Sequence, residues 1–219
     1  MNIIWIAPPA AGKGTYSAIF KDRFGFSHIS AGDVLREEMA NGSEIGKEIS
    51  DIVSNGKMVD DSLMKKLIRN KLKSLDLTKP FMLDGYPRRM NQAIDYDDIL
   101  NELNIEKPKA IFINIDKETG LSRILGRVNC PNCKRSYNIN SKDFKPKVDN
   151  ICDECGTLLE RRSDDNKESY ENRYNTYFNE TTELIEKYRM DNSLIEVDGK
   201  KDPEDNIKEI IKILGVNND

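Results

Sequence analysis

The sequence contains one histidine, His28, among its 219 residues, and no serine–histidine nucleophile is evident, so His28 reads as structural. No apolar run approaches the roughly 20 residues of a membrane span. The N-terminal apolar piece "NIIWIA" is too short for a signal peptide and lacks a basic flank, so a cytoplasmic protein without membrane contact is expected. Positive charge is not in excess: 34 Lys and Arg face 38 Asp and Glu, for a net charge of −4. No global basic field advertises nucleic acid, and a polyanionic ligand would need a local cluster of cations. No internal repeat or low-complexity tract is apparent. Cysteine is absent outside residues 130–155, where Cys130, Cys133, Cys152 and Cys155 form two C-x-x-C knuckles. None is left over, and in a chain read as intracellular this favours metal over disulfides.

The remaining composition, 37% hydrophobic and 33% charged, fits a globular protein with a hydrated surface. The length allows one sizeable domain with inserted subdomains. Asn2–Ile6 reads as a buried strand, with Trp5 in the core, followed by a turn-rich loop and a helix over Lys13–Phe24. Ser27–Ile29 is a second short strand. Helices are predicted over Asp33–Met39, Ile45–Val53 and Ser62–Leu72, punctuated by Asn41-Gly42 and Asn55-Gly56. Pro80–Leu83 is a strand, Arg89–Leu103 a helix, Lys109–Ile115 the clearest buried strand and Lys117–Gly126 a helix. Residues Val128–Glu160 then lose helical periodicity and read as an inserted module. A long amphipathic helix over Asp164–Tyr188, a strand over Ser193–Val197 and a helix over Pro203–Leu214 complete the chain, with Pro203 suited to a first helical turn. Alternating strands and helices imply a parallel sheet covered on both faces, with ligands at the carboxyl ends of its strands. "APPAAGKGT" and "DGYPRR" each follow a strand and so fall on one rim.

A loop between strand and helix aims N–H groups and a helix N-terminus at an anion. Here Ala10, Ala11, Gly12, Lys13, Gly14 and Thr15 can donate; Pro8 and Pro9 cannot, but they stiffen the approach. Lys13 would reach terminal phosphates, and the Thr15 hydroxyl is placed to bind Mg²⁺. The strict G-x-x-x-x-G-K-[ST] pattern fails twice: Ala7 replaces its first glycine, and Gly14 separates Lys13 from Thr15. The bland alternative is an ordinary strand-to-helix turn with a surface lysine.

"APPAAGKGT" nevertheless resembles the G-x-P-G-x-G-K-G-T loop of adenylate kinases and related nucleoside monophosphate kinases, with alanine at Ala7 and Ala10 in place of glycine. Where such a position needs positive φ, alanine costs roughly 1–2 kcal/mol. The likeness covers nearly the whole chain and keeps the family's motif order. "HISAGDVLR", "NGKMVDD", "LDGYPRRMNQA", "SRILGRVNCPNCKRSY" and "ERRSDDNKESYENR" resemble the family's acceptor-binding, base-lining, rim, lid-entry and arginine-bearing stretches. The register of the last selects Arg162 and Arg173 and leaves Arg161 on the surface.

The resemblance implies an α/β fold: a P-loop NTPase-type parallel sheet flanked by helices, with an inserted AMP-binding helical subdomain and a zinc-ribbon-like lid. Residues 1–29, 60–127 and 161–219 would form the core, 30–59 the AMP-binding subdomain and 128–160 the lid. It implies Mg·ATP plus AMP giving two ADP, with ATP, AMP and ADP as partners and a monomer expected. Lys13, Arg88, Arg127, Arg162 and Arg173 would stabilise transition-state charge, and Asp84 would order the hydration shell of Mg²⁺, with Asp33 in a similar role. ATP would be held by residues Ala10 to Thr15, Arg123, Arg127, Ser136, Tyr137 and the Lys201 main chain. AMP would be held by Ala31, Arg36, Lys57, Met58, Val59, Gly85, Tyr86, Pro87, Arg88, Gln92, Arg162 and Arg173. Physically, two polyanions brought together need a cage of cations, and arginine's planar fork suits phosphate. A single arginine in such a stretch is more often a solvated surface residue; seven cations in register with a phosphate loop are not.

Gln92 resembles the glutamine that reads adenine, an edge a carboxamide can pair with by giving one hydrogen bond and taking another. Ala31 points instead to UMP/CMP kinases, which often carry "SAGD". A catalytically weak, zinc-containing nucleotide-binding module is a further alternative, motivated by Ala7 and Ala10. The knuckles are separated by 18 residues, 134–151, a spacing that fits structural Zn²⁺ bound by four thiolates with no open position. A redox pair or a nucleic-acid-binding ribbon is the competing reading.

Overall fold

Short strands, the central three of them apolar runs buried on both faces, build the centre of the molecule. In the computed structural model, which describes residues 1–54, 59–133, 135–162 and 164–216, they are β1 (Ile3–Ile6), β2 (Ser27–Ser30), β3 (Phe81–Asp84), β4 (Lys109–Asn114) and the strand Leu194–Asp198, numbered β7 below. All pair in parallel in the order β2-β3-β1-β4-β7. Parallel pairing brings the carboxyl ends of β1, β2 and β3 to one rim.

Alternation along β1 divides the core. Ile4 and Ile6 join a cluster with Leu83, Phe112, Ile68 and Leu184, whereas Ile3 and Trp5 join one with Met82, Ile111, Phe20 and Ile207. Trp5 is core, as expected: 2% exposed, edge-on to Phe20, its indole N–H donating to Met82 Sδ at 3.3 Å. Helices α1 (Lys13–Phe24) and Pro203–Leu214 (α8) cover that second face. The first is covered by α2 (Ala31–Ala40), α3 (Glu44–Ser54), α4 (Asp61–Lys73), α5 (Met90–Glu102) and the long helix Lys167–Met190 (α7). Helix α6 (Lys117–Leu125) leads into the cysteine-bearing module.

Helix starts follow their caps rather than the apolar pattern. Ser30 Oγ accepts the Asp33 N–H, so α2 begins at Ala31 and not at the predicted Asp33. Asn166 Oδ1 accepts the Ser169 N–H at 2.9 Å, so α7 begins at Lys167 and leaves Asp164 and Asp165 outside the helix. The expected ribbon-like module contains a two-stranded antiparallel pair whose strands the sequence reading did not place, β5 (Arg127–Asn129) with β6 (Ser136–Asn138). Bridges Asn129–Glu160 and Ile151–Leu158 close it around Val128, Cys130, Tyr137, Cys152 and Leu159. Among the described residues no helix is long and apolar enough to cross a membrane.

Candidate active site

The loop after β1 turns into α1 through two left-handed residues, Ala10 at φ 64° and Gly12 at φ 96°. Glycine adopts that conformation freely and alanine does not; Ala7 is outside it. The Ala11 N–H is engaged by Pro8 O and the Thr15 N–H by Gly12 O. Among the described residues, the N–H groups of Ala10, Gly12, Lys13 and Gly14 carry no internal hydrogen bond, so the expected donor set shrinks from six to these four. They stand at a helix N-terminus with no acidic residue in its first turn, an anion site by field and geometry.

Lys13 Nζ lies 2.8 Å from Asp84 Oδ1 at the end of β3. His28 Nε2 lies 3.6 Å from the other Asp84 oxygen, so the histidine read as structural stands on the rim. Burial opposes ionisation of Asp84, but the Lys13 charge and the His28 contact more than offset it and hold its carboxyl well below the usual carboxylate range. Past Asp84 the chain turns at Gly85, φ 80°, and through a cis Tyr86–Pro87 bond. Arg88 folds back over this turn, Nε donating to Gly85 O at 2.9 Å. The Tyr86 and Val59 side chains are buried in the core. Ala31 is buried in the first turn of α2, and Arg36, one turn on, pairs with Asp33 at 2.6 Å. Lys57 and Met58 lie outside the described residues. Gln92 is 5% exposed and fully oriented: Oε1 accepts the Arg88 N–H at 2.9 Å and Nε2 donates to Asp61 Oδ1 at 2.7 Å.

Helix α6 is wedged against the phosphate loop. A Cβ on Gly120 would lie 2.1 Å from Tyr170 Oη and 3.1 Å from Pro9 O, so only glycine fits there. Arg123 donates to Ala11 O at 3.2 Å and to Gly199 O at 2.7 Å. Its guanidinium thus braces the loop through the main chain; the sequence reading had placed it among the ATP-binding residues. Lys201 donates its main-chain N–H to Asp198 O and keeps its side chain exposed.

One turn beyond Arg123, Arg127 binds Asp165 through both carboxylate oxygens, at 2.8 and 2.5 Å, and the Asp165 side chain is only 1% exposed. Arg173 reaches Asp164 at 3.2 Å and Asp165 at 3.8 Å, and Arg162 reaches Asp164 at 3.0 Å. Three of the expected arginines are therefore gathered on one acidic pair. Arg161 is exposed, as read, but its guanidinium donates to Leu125 O at 3.0 Å and closes the end of α6. In the ribbon, Ser136 is exposed, whereas Tyr137 is 5% exposed and accepts the Asp153 N–H at 2.8 Å, so its ring packs the module.

The four cysteine Sγ atoms lie within 4.8 Å of one another. Cys130–Cys155 and Cys133–Cys152 are each 3.4 Å apart, and the Cys133 N–H points at Cys130 Sγ. Four thiolates around a tetrahedral ion stand about 3.8 Å apart, so the cluster could hold a metal ion. Sequence reasoning did not single out Asp61 or Asp165. Both lie in stretches quoted for the resemblance, "NGKMVDD" and "ERRSDDNKESYENR", but were given no role there.

A family model described as adenylate kinase matches residues 5–193. The chain is 40% identical to an adenylate kinase of Fervidobacterium nodosum over 215 residues, 98% of each chain. It is 41% identical to that of Kosmotoga olearia over 214 residues, 98% of this chain and 99% of the relative. For the adenylate kinase of Archaeoglobus fulgidus the identity is 39% over 214 residues, 98% of each.

Proposed function

The chain belongs to the adenylate kinase family, and on that premise we propose that this phosphotransferase moves the γ-phosphoryl group of Mg·ATP to AMP, reversibly, giving two ADP. The observation that carries the reading is the adjacency of two phosphate-binding devices. One is the helix N-terminus with Lys13 beside Asp84. The other is the Arg127–Arg162–Arg173 group on Asp164 and Asp165, tied to the first by Arg123 on Ala11 O.

A phosphate oxygen of AMP attacks the γ-phosphorus, and the bond to the β-γ bridging oxygen breaks. Charge spreads over the transferred group, so the protein's task is positioning and neutralisation. The free N–H groups of Gly12, Lys13 and Gly14 cradle the donor phosphates, and Lys13 leaves Asp84 for the terminal ones. Arg88 and Arg36 take the AMP phosphate. Arg127, Arg162 and Arg173 meet the moving group. The Thr15 hydroxyl and the ionised Asp84 are the residues suited to Mg²⁺, which would supply further charge neutralisation. Cys130, Cys133, Cys152 and Cys155 would hold a structural Zn²⁺ and stiffen a module with a core of only a few side chains. Residues 30–59 and 128–160 would close over acceptor and donor on the core formed by the rest, excluding water that would otherwise take the phosphoryl group.

The test is ADP formation from Mg·ATP with AMP, UMP and CMP as parallel acceptors. Turnover with AMP alone is expected. Turnover with UMP or CMP would reassign the acceptor, and zinc-loaded, folded protein that binds ATP yet turns over none would replace the reading with a binding module.

A further inference from the structure

We infer that Asp61 is a positioning residue that fixes how Gln92 presents its carboxamide, and so which base edge the acceptor site takes. The inference rests on the AMP reading above and adds a specificity determinant to it. A carboxamide can flip end for end, exchanging its donor and acceptor. At Gln92 both ends are constrained by groups of one kind. The Arg88 main-chain N–H can only donate, so it selects Oε1, at 2.9 Å. The Asp61 carboxylate accepts, so it selects Nε2, at 2.7 Å. A flipped amide would set N–H against N–H and oxygen against carboxylate.

Both constraints are themselves braced. Arg89 donates to the same Asp61 oxygen from Nε at 3.2 Å and from its terminal nitrogen at 2.8 Å, and approaches Glu180 of α7 at 4.0 Å. The Arg88 carbonyl accepts the Thr181 hydroxyl at 3.0 Å, also from α7. Asp61 is not needed as a helix cap, because Asp60 fills that role by accepting the Ser62 N–H at 2.8 Å.

Each end of the carboxamide keeps one free valence, one hydrogen on nitrogen and one lone pair on oxygen. Adenine presents an N6–H donor beside an N1 acceptor. A 6-oxopurine presents the same two functions exchanged, an O6 acceptor beside an N1–H donor. A freely flipping glutamine would serve both; an amide locked by Asp61 and Arg88 serves one.

The test compares AMP with IMP as acceptors in the zinc-loaded, full-length protein. In Asp61→Ala the ratio of kcat/KM for AMP over IMP should fall about tenfold or more, through acceptor KM, with kcat at saturating AMP within about threefold of the parent. Asp61→Asn keeps an acceptor oxygen and should restore most of the ratio. In a Gln92→Ala background, Asp61→Ala should leave the ratio unchanged, because the two residues act as one unit. An unchanged ratio in Asp61→Ala, or additive losses in the double variant, overturns the inference. Should Asp61→Ala fail to fold, Gln92→Glu sets two carboxylates together and should raise AMP KM; Asp61→Asn added to it should lower that KM again, and no recovery overturns the inference. A parent enzyme that ignores AMP overturns the acceptor assignment instead, and this inference with it.

Discussion

Replacing Ala10 by glycine should stabilise the protein, and replacing Ala7 by glycine should destabilise it, although the sequence pattern treats the two positions alike. Ala10 sits at φ 64°, where its methyl crowds the following carbonyl. That conformation costs an L-residue roughly 1–2 kcal/mol. Glycine removes the cost but brings extra freedom to the unfolded chain, worth about 0.4–1 kcal/mol in the opposite sense. The net gain is about 0.5–1 kcal/mol, and with a urea m-value of about 2–3 kcal/mol/M the midpoint should rise by about 0.2–0.5 M. Ala7 is outside the left-handed region, and its partly buried methyl packs against the Trp5 and Tyr16 cluster. Ala7→Gly therefore keeps the entropy cost and adds about 0.8 kcal/mol for the lost methyl contact, lowering the midpoint by about 0.4–0.9 M. The assay is equilibrium urea unfolding by far-UV circular dichroism on zinc-loaded samples, with the slope required to match the parent. If the loop is preformed, the strain is present with and without nucleotide, so KM for ATP in Ala10→Gly should move less than twofold. Shifts of the same sign for the two variants would refute the backbone argument.

Asp165→Ala leaves Arg127 without its bidentate partner next to a site only 1% exposed; it should cost about 2–4 kcal/mol in thermal or urea unfolding and lower turnover, and a loss below about 0.5 kcal/mol would show the pair to be dispensable. Gly120→Ala sets a methyl 2.1 Å from Tyr170 Oη and should break the Tyr170–Lys117 hydrogen bond, costing about 1–3 kcal/mol and raising KM for ATP through the shifted Pro9 turn, as steady-state kinetics would show. Stripping the metal with a chelator should leave the parallel sheet folded while the 128–160 module becomes susceptible to limited proteolysis, because its core is five side chains; an unchanged digestion pattern would argue against a metal stiffening it.

What the sequence disclosed depended on the range of the interaction that fixed each feature. β1 and β4 were legible because strands covered on both faces are continuous apolar runs, and their residues alone specify them. The phosphate loop was legible for a similar reason, since its turn, its lysine and its helix start are contiguous. Helix starts moved where one capping side chain, Ser30 or Asn166, outweighed the apolar pattern. The ribbon strands escaped because three residues carry no periodicity. Side-chain surroundings were not legible where tertiary packing decided them. Tyr86 and Tyr137 lie in binding-type motifs with their rings in cores, and Arg123 meets Gly199 across 76 positions of chain. Asp61 reaches Gln92 across 31 positions, and Asp165 reaches Arg127 across 38, so no local pattern could join them.

Pairing of cations with carboxylates accounts for how an acidic chain can be built to take two polyanions, on the reading proposed above. Lys13 rests on Asp84, Arg36 on Asp33, Arg162 on Asp164, and Arg127 and Arg173 on Asp165 and Asp164. Left unpaired, these cations would repel one another across the rim and destabilise the empty fold. Paired with carboxylates, they are held in place without creating a standing basic surface, which agrees with the net charge of −4. On the proposed reading, binding of a phosphate would exchange one oxyanion for another. A carboxylate offers two oxygens in a plane and one charge; a phosphate offers three oxygens, more charge and better engagement of the planar arginine fork. On that reading the exchange would favour phosphate and, at Lys13, Arg127 and Arg173, lose little desolvation energy, since those cations are already partly withdrawn from water. The released aspartates are not idle either. Asp84 is held ionised at the rim, so on the proposed reading the group that holds Lys13 at rest would become free as a divalent counter-ion comes in with the phosphates.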